Sequence, residues 1–157
     1  MTLIIRKAKI GDAANVASIG ITVWVDTYAT DGVRDTLSKY VFTEFSVKNI
    51  KHMISTQNVL VVEIDGHILG YSVTEKSVEK RAELKALYVL PRFQNQGIGR
   101  ELLNSARSFS ANGLWLTCWQ HNKSALKFYR KNGFKRCGEE YINLEGEKHL
   151  NFVLERT

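Results

Sequence analysis

The stretch from residue 90 to 103, LPRFQNQGIGRELL, decides the fold of this chain. It contains Pro91, the only proline among 157 residues, followed by three amide side chains and then by Gly97 and Gly99. An apolar run precedes it, and from Gly97 onward apolar residues recur at helical spacing, at Ile98, Leu102, Leu103 and Ala106. The stretch therefore predicts a junction where a strand ends and a helix begins.

Glycines at a helix start indicate a site for an anion. The first backbone N–H groups of a helix lack intrahelical partners, and glycine lets a phosphate approach them closely. The P-loop motif is absent, and the dinucleotide fingerprint fails at its third glycine, where Leu102 stands. A third form, Gln/Arg-x-x-Gly-x-Gly/Ala, matches Gln94, Gly97 and Gly99. The stretch alone favours phosphate binding, while a helix start whose glycines only close a turn stays open.

The sequence before this junction predicts a strand, two helices and a hairpin. The strand is LIIRKA (3–8); Asp12 is the expected N-cap of the first helix and Ser46 that of the second. Two β-rich runs, NVLVVEI and HILGYSVTEK, flank Asp65-Gly66, a pair typical of a two-residue hairpin turn. These two strands are followed by the run AELKALYVL, which leads into the junction.

The sequence after the junction predicts helix, strand, helix and two strands. Asn112-Gly113 closes the first helix, LWLTCW is the next strand, and a helix opened by Asn122 or Ser124 ends at Asn132-Gly133. Two last strands flank a turn at Glu145-Gly146. The order is typical of a mixed α/β domain spanning residues 1–157, with one parallel strand pair joined by the crossover at 83–119.

Composition narrows the function classes. A hydrophobic content of 44% supports a packed core, and the net charge of +6 is dispersed, so we expect no nucleic-acid partner. The two cysteines and four scattered histidines match no metal-ligand spacing, so no metal is expected. No apolar window is long enough for a membrane span and no signal peptide is evident, which predicts a cytoplasmic protein without a membrane partner. The sequence leaves a homodimer open.

Two segments carry a resemblance to a known family. ELKALYVLPRFQNQGIGRELL (83–103), followed by NKSALKFYRKNGF (122–134), resembles the GNAT superfamily of N-acetyltransferases. TVWVDTYA, LWLTCWQHN and ALKFYRKNGF are similar to its PaiA-like branch, which includes spermidine/spermine acetyltransferases. The resemblance implies the GNAT acyl-CoA N-acyltransferase fold, a mostly antiparallel twisted sheet with one parallel pair and flanking helices. It also implies direct attack of an amine on acetyl-CoA, the acetyl donor.

The resemblance assigns donor-binding and catalytic roles. Glu83 matches the general base that removes a proton from the amine, and Tyr129 matches the acid that assists the leaving thiolate. A solvated strand-edge position for Glu83 and a packing role for Tyr129 stay open. The expected acetyl-CoA contacts comprise a strand backbone, a glycine loop and one helix: Leu87, Tyr88, Val89, Gln94, Asn95, Gln96, Gly97, Ile98, Gly99, Arg100, Asn122, Phe128 and Tyr129.

The acceptor site is less determined by the sequence. Trp24, Tyr28, Trp119 and Tyr141 are candidates for an aromatic wall, since aromatic faces attract ammonium groups, and Glu83 is a further candidate contact of the acceptor. Four acids are candidates for attracting a polycation: Asp26, Asp31, Asp35 and Glu44. Core packing is an open alternative for Trp24, and the positive net charge argues mildly against a polyamine. A polyamine or other small amine is the expected acceptor; a protein or peptide acetyltransferase and a non-catalytic acyl-CoA-binding module are the alternatives.

Overall fold

The computed structural model describes residues 2–77, 79–144 and 146–157. Seven strands and five helices make up these ranges: β1 (Leu3–Lys7), α1 (Ala13–Tyr28), α2 (Asp35–Glu44), α3 (Val47–Thr56), β2 (Asn58–Ile64), β3 (His67–Thr74), β4 (Ala82–Val89), α4 (Ile98–Ala106), β5 (Leu114–Trp119), α5 (Lys123–Lys131), β6 (Lys135–Leu144) and β7 (Glu147–Arg156). The predicted turn between the last two strands includes Glu145, which lies outside the described residues. In the described ranges, no helix has the length and apolarity needed to cross a membrane.

The strands form one sheet in the order β1-β2-β3-β4-β5-β7-β6. Strands β4 and β5 are parallel, and the other neighbouring pairs are antiparallel. The crossover between β4 and β5 runs through α4, as a parallel connection requires. The predicted mixed α/β fold with one parallel pair is confirmed.

Local sequence signals place several elements correctly. Asp65 and Gly66 have φ of 50° and 80°, so they form the two-residue turn with two positive φ values that suits a twisted hairpin. The Ser46 side chain accepts a hydrogen bond from the Asn49 N–H and caps α3. The face of α4 formed by Ile98, Leu102, Leu103 and Ala106 is buried. These predictions are confirmed.

The prediction of two helices between β1 and β2 is wrong, because α2 lies between α1 and α3. Its sequence, DTLSKYVFTE, is rich in Thr, Ser, Tyr, Val and Phe, which have low helix propensity. Only Val41 of α2 is buried, while Leu37 and Tyr40 pack partly against the cluster around α1. Tertiary packing therefore forms this helix where its own sequence gives a weak signal.

Asp12 precedes α1, but its side chain does not cap that helix. The carboxylate accepts hydrogen bonds from the Arg6 guanidinium at 2.8 and 3.1 Å and from the Lys9 N–H at 2.7 Å. These bonds, led by that from Arg6, hold the pKa of Asp12 below its ordinary value. The expected N-cap is thus replaced by a salt bridge to β1.

The end of α4 also differs from the prediction. The helix ends at Ala106 and continues into a short 3-10 turn at Arg107–Phe109, before Asn112-Gly113 is reached. Gly113 has a φ of +93°, and a side chain there would meet the Arg156 backbone. The Asn-Gly pair therefore serves the entry into β5 and not the end of α4.

Helices cover both faces of the sheet. One face buries a cluster of α1, α2 and α3 residues against β2 and β3, including Val16, Ile50 and Tyr71. The opposite face packs α4 and α5 against β4 and β5, where Leu103, Leu116 and Tyr129 belong to one cluster. The residues of β4 that face α1 and those that face α4 therefore lie in two different environments.

Strands β4 and β5 separate soon after they meet. The described ladder between them consists of Ala82 with Leu114 and Glu83 with Trp115. The β3–β4 register skips Lys85, between the pairs Val73–Ala86 and Thr74–Leu84, and a bulge of this kind bends the strand that carries it, while β5 continues beside β7. Beyond Glu83 strands β4 and β5 are no longer paired, and a wedge-shaped gap opens between them. We call this gap the wedge.

Candidate active site

The edge of β4 that faces the wedge carries backbone groups outside the β4–β5 ladder. The Leu90 N–H donates to the Leu69 carbonyl at 2.9 Å, so it points toward β3. Successive residues of a strand point their backbone groups to opposite sides, and the Val89 carbonyl accepts from Gln94 Nε2 at 2.9 Å on the other side. By the same alternation, the Leu87 N–H points into the wedge.

The glycine loop sits at the end of β4 and starts α4. Gly97 is the N-cap with a φ of +82°, and Asn95 also has a positive φ of 61°. The first intrahelical bond runs from the Glu101 N–H to the Gly97 carbonyl, so the N–H groups of Ile98, Gly99 and Arg100 have no intrahelical acceptor. A methyl group at Gly97 would meet no atom within 4 Å. This helix start is open and suited to a phosphate.

Gly99 has a packing role as well. A methyl group at this position would lie 3.4 Å from Cε2 of Phe128, so the first turn of α4 packs directly on α5. The Asn122 side chain caps α5 by accepting from the Ala125 N–H at 3.3 Å. Gln94, Asn95, Gln96 and Arg100 are all exposed around the loop, and Gln94 Nε2 donates to the Val89 carbonyl. The Gln94 amide thus ties the start of the glycine loop to the end of β4.

Tyr129 of α5 is buried, and its hydroxyl has no hydrogen-bond partner among the described residues. Its ring contacts those of Phe128 and Phe134, with centroids 5.3 and 5.4 Å apart. In the described part of the chain, only Gln57, Ser72 and Thr74 contribute buried polar side-chain atoms without a hydrogen-bond partner. The Tyr129 hydroxyl oxygen also makes no hydrogen bond to a described residue. Because it does not belong to this set of fully buried atoms, part of its surface touches open space. Burial raises its pKa well above the ordinary tyrosine value, which keeps it protonated as a donor.

Glu83 lies where β4 and β5 are still paired. Its side chain is partly buried, and its N–H donates to Glu75 Oε1 at 2.9 Å. Burial raises the pKa of Glu83 first of all, the carboxylates of Glu75 and Glu140 raise it further, and Lys85 opposes them. A carboxyl group with a raised pKa binds a proton more readily, as a general base must.

An aromatic cavity of about 450 Å³ lies on the α1 side of the sheet. The Trp24 ring stacks on Tyr40 with centroids 4.4 Å apart and contacts Tyr28 at the same distance. Tyr28 in turn contacts Trp119 at 4.9 Å. The indole N–H of Trp24 donates to the Tyr88 hydroxyl at 3.0 Å, which ties the cavity wall to β4 beside Leu87. We call this space the aromatic cavity.

The aromatic cavity brings some predicted acceptor residues together and leaves others out. Trp24, Tyr28, Trp119 and Asp31 line it. Tyr141 is 67% exposed on β6 and is not part of the lining, and neither are the remaining candidates, Glu83, Asp26, Asp35 and Glu44. Trp24 also packs against the core beneath α1, so packing and cavity lining apply to the same side chain.

The lining residues that the sequence analysis did not predict include Arg34, Tyr40, Glu147 and His149. The spacing of Leu37, Tyr40 and Val41 in α2 was the only signal available for Tyr40. The other three come from a loop and from β7, which are far apart in the chain. Within residues 2–77, 79–144 and 146–157, no group of three or more His, Cys, Asp or Glu side chains is arranged to hold a metal ion.

Comparisons with known proteins point to one family. A family profile described as "Acetyltransferase (GNAT) domain" matches residues 55–136, just over half of the chain. An uncharacterized N-acetyltransferase in the pepI 3′ region of Lactobacillus delbrueckii subsp. lactis is 24% identical over 159 residues, covering 93% of this chain and 92% of that protein. The spermidine N(1)-acetyltransferase of Thermoplasma acidophilum is 26% identical over 145 residues, covering 86% and 89%.

A solved structure shares the fold. The crystal structure of the PaiA N-acetyltransferase from Thermoplasma acidophilum in complex with coenzyme A matches with a TM-score of 0.82. The identity is 23%, and the match covers 99% of both chains. The similarity therefore extends over the whole sheet and the helices around it.

Proposed function

Because this chain belongs to the GNAT family and is an acetyl-CoA-dependent N-acetyltransferase, we propose that it acetylates a small primary alkylamine, with a polyamine as the favoured acceptor. We further propose that residues 1–157 act as one acetyltransferase domain. The observation that carries the acceptor is the aromatic cavity beside the open edge of β4. The similarity to a spermidine N(1)-acetyltransferase supports the same acceptor class.

The aromatic cavity suits an alkylammonium chain. Trp24, Tyr28, Tyr40 and Trp119 contribute aromatic surface to the lining, and such surface attracts ammonium groups and packs against methylene groups. Asp31 and Glu147 add negative charge to the lining. A flexible chain with charged ends and an apolar middle complements this combination.

The wedge and the glycine loop fit acetyl-CoA, which supplies the acetyl thioester. The N–H groups of Ile98, Gly99 and Arg100 would bind its pyrophosphate, since they are free at a helix start with a positive dipole end. The backbone groups of Leu87 and Val89 on the open edge of β4 would bind the extended pantetheine arm, whereas those of Tyr88 point toward β3. Asn122 and Phe128 border this path from α5.

Three groups of the chain would then carry the chemistry. The Leu87 N–H, pointing into the wedge, would donate to the oxyanion that forms as the amine attacks. Glu83 would accept the proton of the amine, through water because it lies outside the lining of the aromatic cavity. The Tyr129 hydroxyl would donate a hydrogen bond to the departing sulfur and so stabilise the thiolate.

Replacing Gly97 with alanine tests the donor site. Alanine at a φ of +82° is strained by about 1–2 kcal/mol, which displaces the N–H groups that follow. We expect the KM for acetyl-CoA to rise about tenfold, as for the loss of one hydrogen bond to a charged group. Gly66→Ala is the matched control, because Gly66 has a φ of +80° and equally open surroundings in the β2–β3 turn. Equal KM values in the two variants would contradict this site.

Replacing Trp119 with leucine tests the acceptor site. We expect the KM for the amine to rise roughly tenfold, because a leucine keeps apolar bulk and removes the cation–π contact. The KM for acetyl-CoA should stay unchanged. Tyr141→Leu, at an exposed position outside the lining, should leave both constants at wild-type values. A rise in the KM for acetyl-CoA alone would place Trp119 in the donor site instead.

An acceptor panel tests the proposed function as a whole. Release of free CoA from acetyl-CoA is followed by a thiol reagent in the presence of polyamines, amino acids, aminoglycosides or peptides. We expect the highest kcat/KM for linear alkylamines and polyamines. Preference for peptides would instead support the protein acetyltransferase alternative. Tight acetyl-CoA binding without turnover would support a non-catalytic binding module, which membership of an acetyltransferase family argues against.

A further inference from the structure

An ion pair crosses the rim of the aromatic cavity. Arg34, the N-cap residue of α2, donates from Nη2 to Glu147 Oε1 at 2.8 Å, and Glu147 is the first residue of β7. The Nε2 atom of His149 lies 3.7 Å from the other carboxylate oxygen of Glu147. Arg34, Glu147 and His149 all line the cavity. The pair therefore joins two walls that are 113 residues apart in sequence.

This ion pair is easily exchanged. The side chain of Arg34 is 74% exposed and that of Glu147 is 48% exposed. Exposed pairs of this kind contribute little to stability, because water screens the attraction and ordering two long side chains costs entropy. A second cation that also packs on the aromatic wall can therefore replace Arg34 on Glu147 at low cost.

Glu147 is connected to the β4 side of the aromatic cavity through a series of ring contacts. The Trp119 ring contacts Tyr28, with centroids 4.9 Å apart, and His149, with centroids 6.2 Å apart. Tyr28 and Trp24 adjoin Tyr88 on β4, whereas Glu147 belongs to the β6–β7 end of the lining. A series of contacts therefore leads from Tyr28 through Trp119 and His149 to Glu147.

We propose that Glu147 binds a second, distal ammonium group of the acceptor, and that Arg34 holds this carboxylate until the acceptor displaces it. This inference rests on the proposed function. It makes the enzyme selective for diamines and polyamines over monoamines, since a monoamine has no second charge to offer. It also predicts that replacing Glu147 and replacing Arg34 have opposite effects on the acetylation of a diamine.

The test compares 1,5-diaminopentane with pentylamine as acceptors, two amines that share one carbon chain. We expect Glu147→Gln to lower kcat/KM for the diamine about tenfold and to leave that for pentylamine unchanged, as one charge-assisted hydrogen bond is lost. Arg34→Met should raise kcat/KM for the diamine, because the competing cation is gone. The KM for acetyl-CoA serves as the folding control and should not change in either variant.

A matched control is provided by Arg136 and Glu139. They form an ion pair at 2.7 Å with side chains 53% and 52% exposed, and neither lines the cavity. Glu139→Gln and Arg136→Met should leave the ratio of the two acceptors at the wild-type value. If Glu139→Gln or Arg136→Met changed this ratio as much as Glu147→Gln does, the change would be an effect of net charge alone. That result would overturn the proposal.

The possible failures are distinguishable. If the wild-type enzyme acetylates amines but Glu147→Gln leaves the diamine-to-monoamine ratio unchanged, the distal subsite is wrong and the proposed function stands. If Arg34→Met lowers activity, Arg34 binds an anionic group of the acceptor and the proposal is overturned. If no amine of the panel is acetylated by the wild type, the proposed function fails and this inference fails with it.

Discussion

Replacing Tyr129 with phenylalanine is expected to lower kcat about 10²-fold, the lower end of the effect of removing one hydrogen-bond donor to a developing negative charge. The hydroxyl touches open space and makes no hydrogen bond to a described residue, so its loss leaves no protein group unpaired. The ring, which packs against Phe128 and Phe134, is retained. The KM for acetyl-CoA and the melting temperature should therefore stay near wild-type values.

The raised pKa of Tyr129 defines what this residue can contribute. A buried tyrosine with a pKa above 10 does not readily give its proton to a thiolate, whose acid has a pKa of about 8.5. It can still donate a hydrogen bond that stabilises the developing charge on sulfur. Steady-state rates with acetyl-CoA measure this role, with Tyr141→Phe as the control. Full retention of kcat in Tyr129→Phe would reduce Tyr129 to a packing residue.

Replacing Glu83 with glutamine is expected to lower kcat/KM about 10²-fold and to remove the acidic limb of its pH profile. The acceptor amine has a pKa near 10.4 and must lose a proton before or during attack. Glu83 can accept it only when ionised, so wild-type activity falls as the pH drops through the pKa of Glu83. Because burial raises that pKa above 4.5, the limb lies at higher pH than an exposed glutamate would give.

Glu75 provides a second, graded test of Glu83. Glu75→Gln keeps a side-chain oxygen for the Glu83 N–H and removes a charge that raises the pKa of Glu83. The acidic limb should therefore move to lower pH while the maximal rate is preserved. If both variants leave the wild-type profile in place, another group acts as the base.

The order of the elements followed from local signals. Turn residues such as Asp65-Gly66, the Ser46 cap and the apolar face of α4 depend on neighbours within a few residues, so the sequence alone predicts them. Helix α2 was missed because its residues are poor helix formers and its stability comes from packing on α1. The wedge beyond Glu83 depends on how two strands distant in sequence diverge, and it leaves no local pattern in the sequence.

The donor and acceptor sides of the candidate site also differ in how well the sequence predicts them. The donor side lies within one continuous part of the sequence, from β4 through the glycine loop to α5, and the resemblance to the GNAT superfamily assigns Gly97 and Tyr129 to it. The acceptor side is assembled from α1, α2, β5 and β7. Its distal end depends on Arg34 and Glu147, whose contact spans 113 residues and leaves no pattern in the sequence.

Product identification tests the central claim most directly. Wild-type enzyme is incubated with acetyl-CoA and an equimolar mixture of spermidine and a lysine-containing peptide, and acetylated products are quantified by mass spectrometry. We predict that acetylated spermidine accumulates with enzyme and time, that the peptide stays unmodified, and that Tyr129→Phe slows the product's formation. Acetylation of the peptide with spermidine left unmodified would contradict the assignment of the aromatic cavity to a small alkylamine.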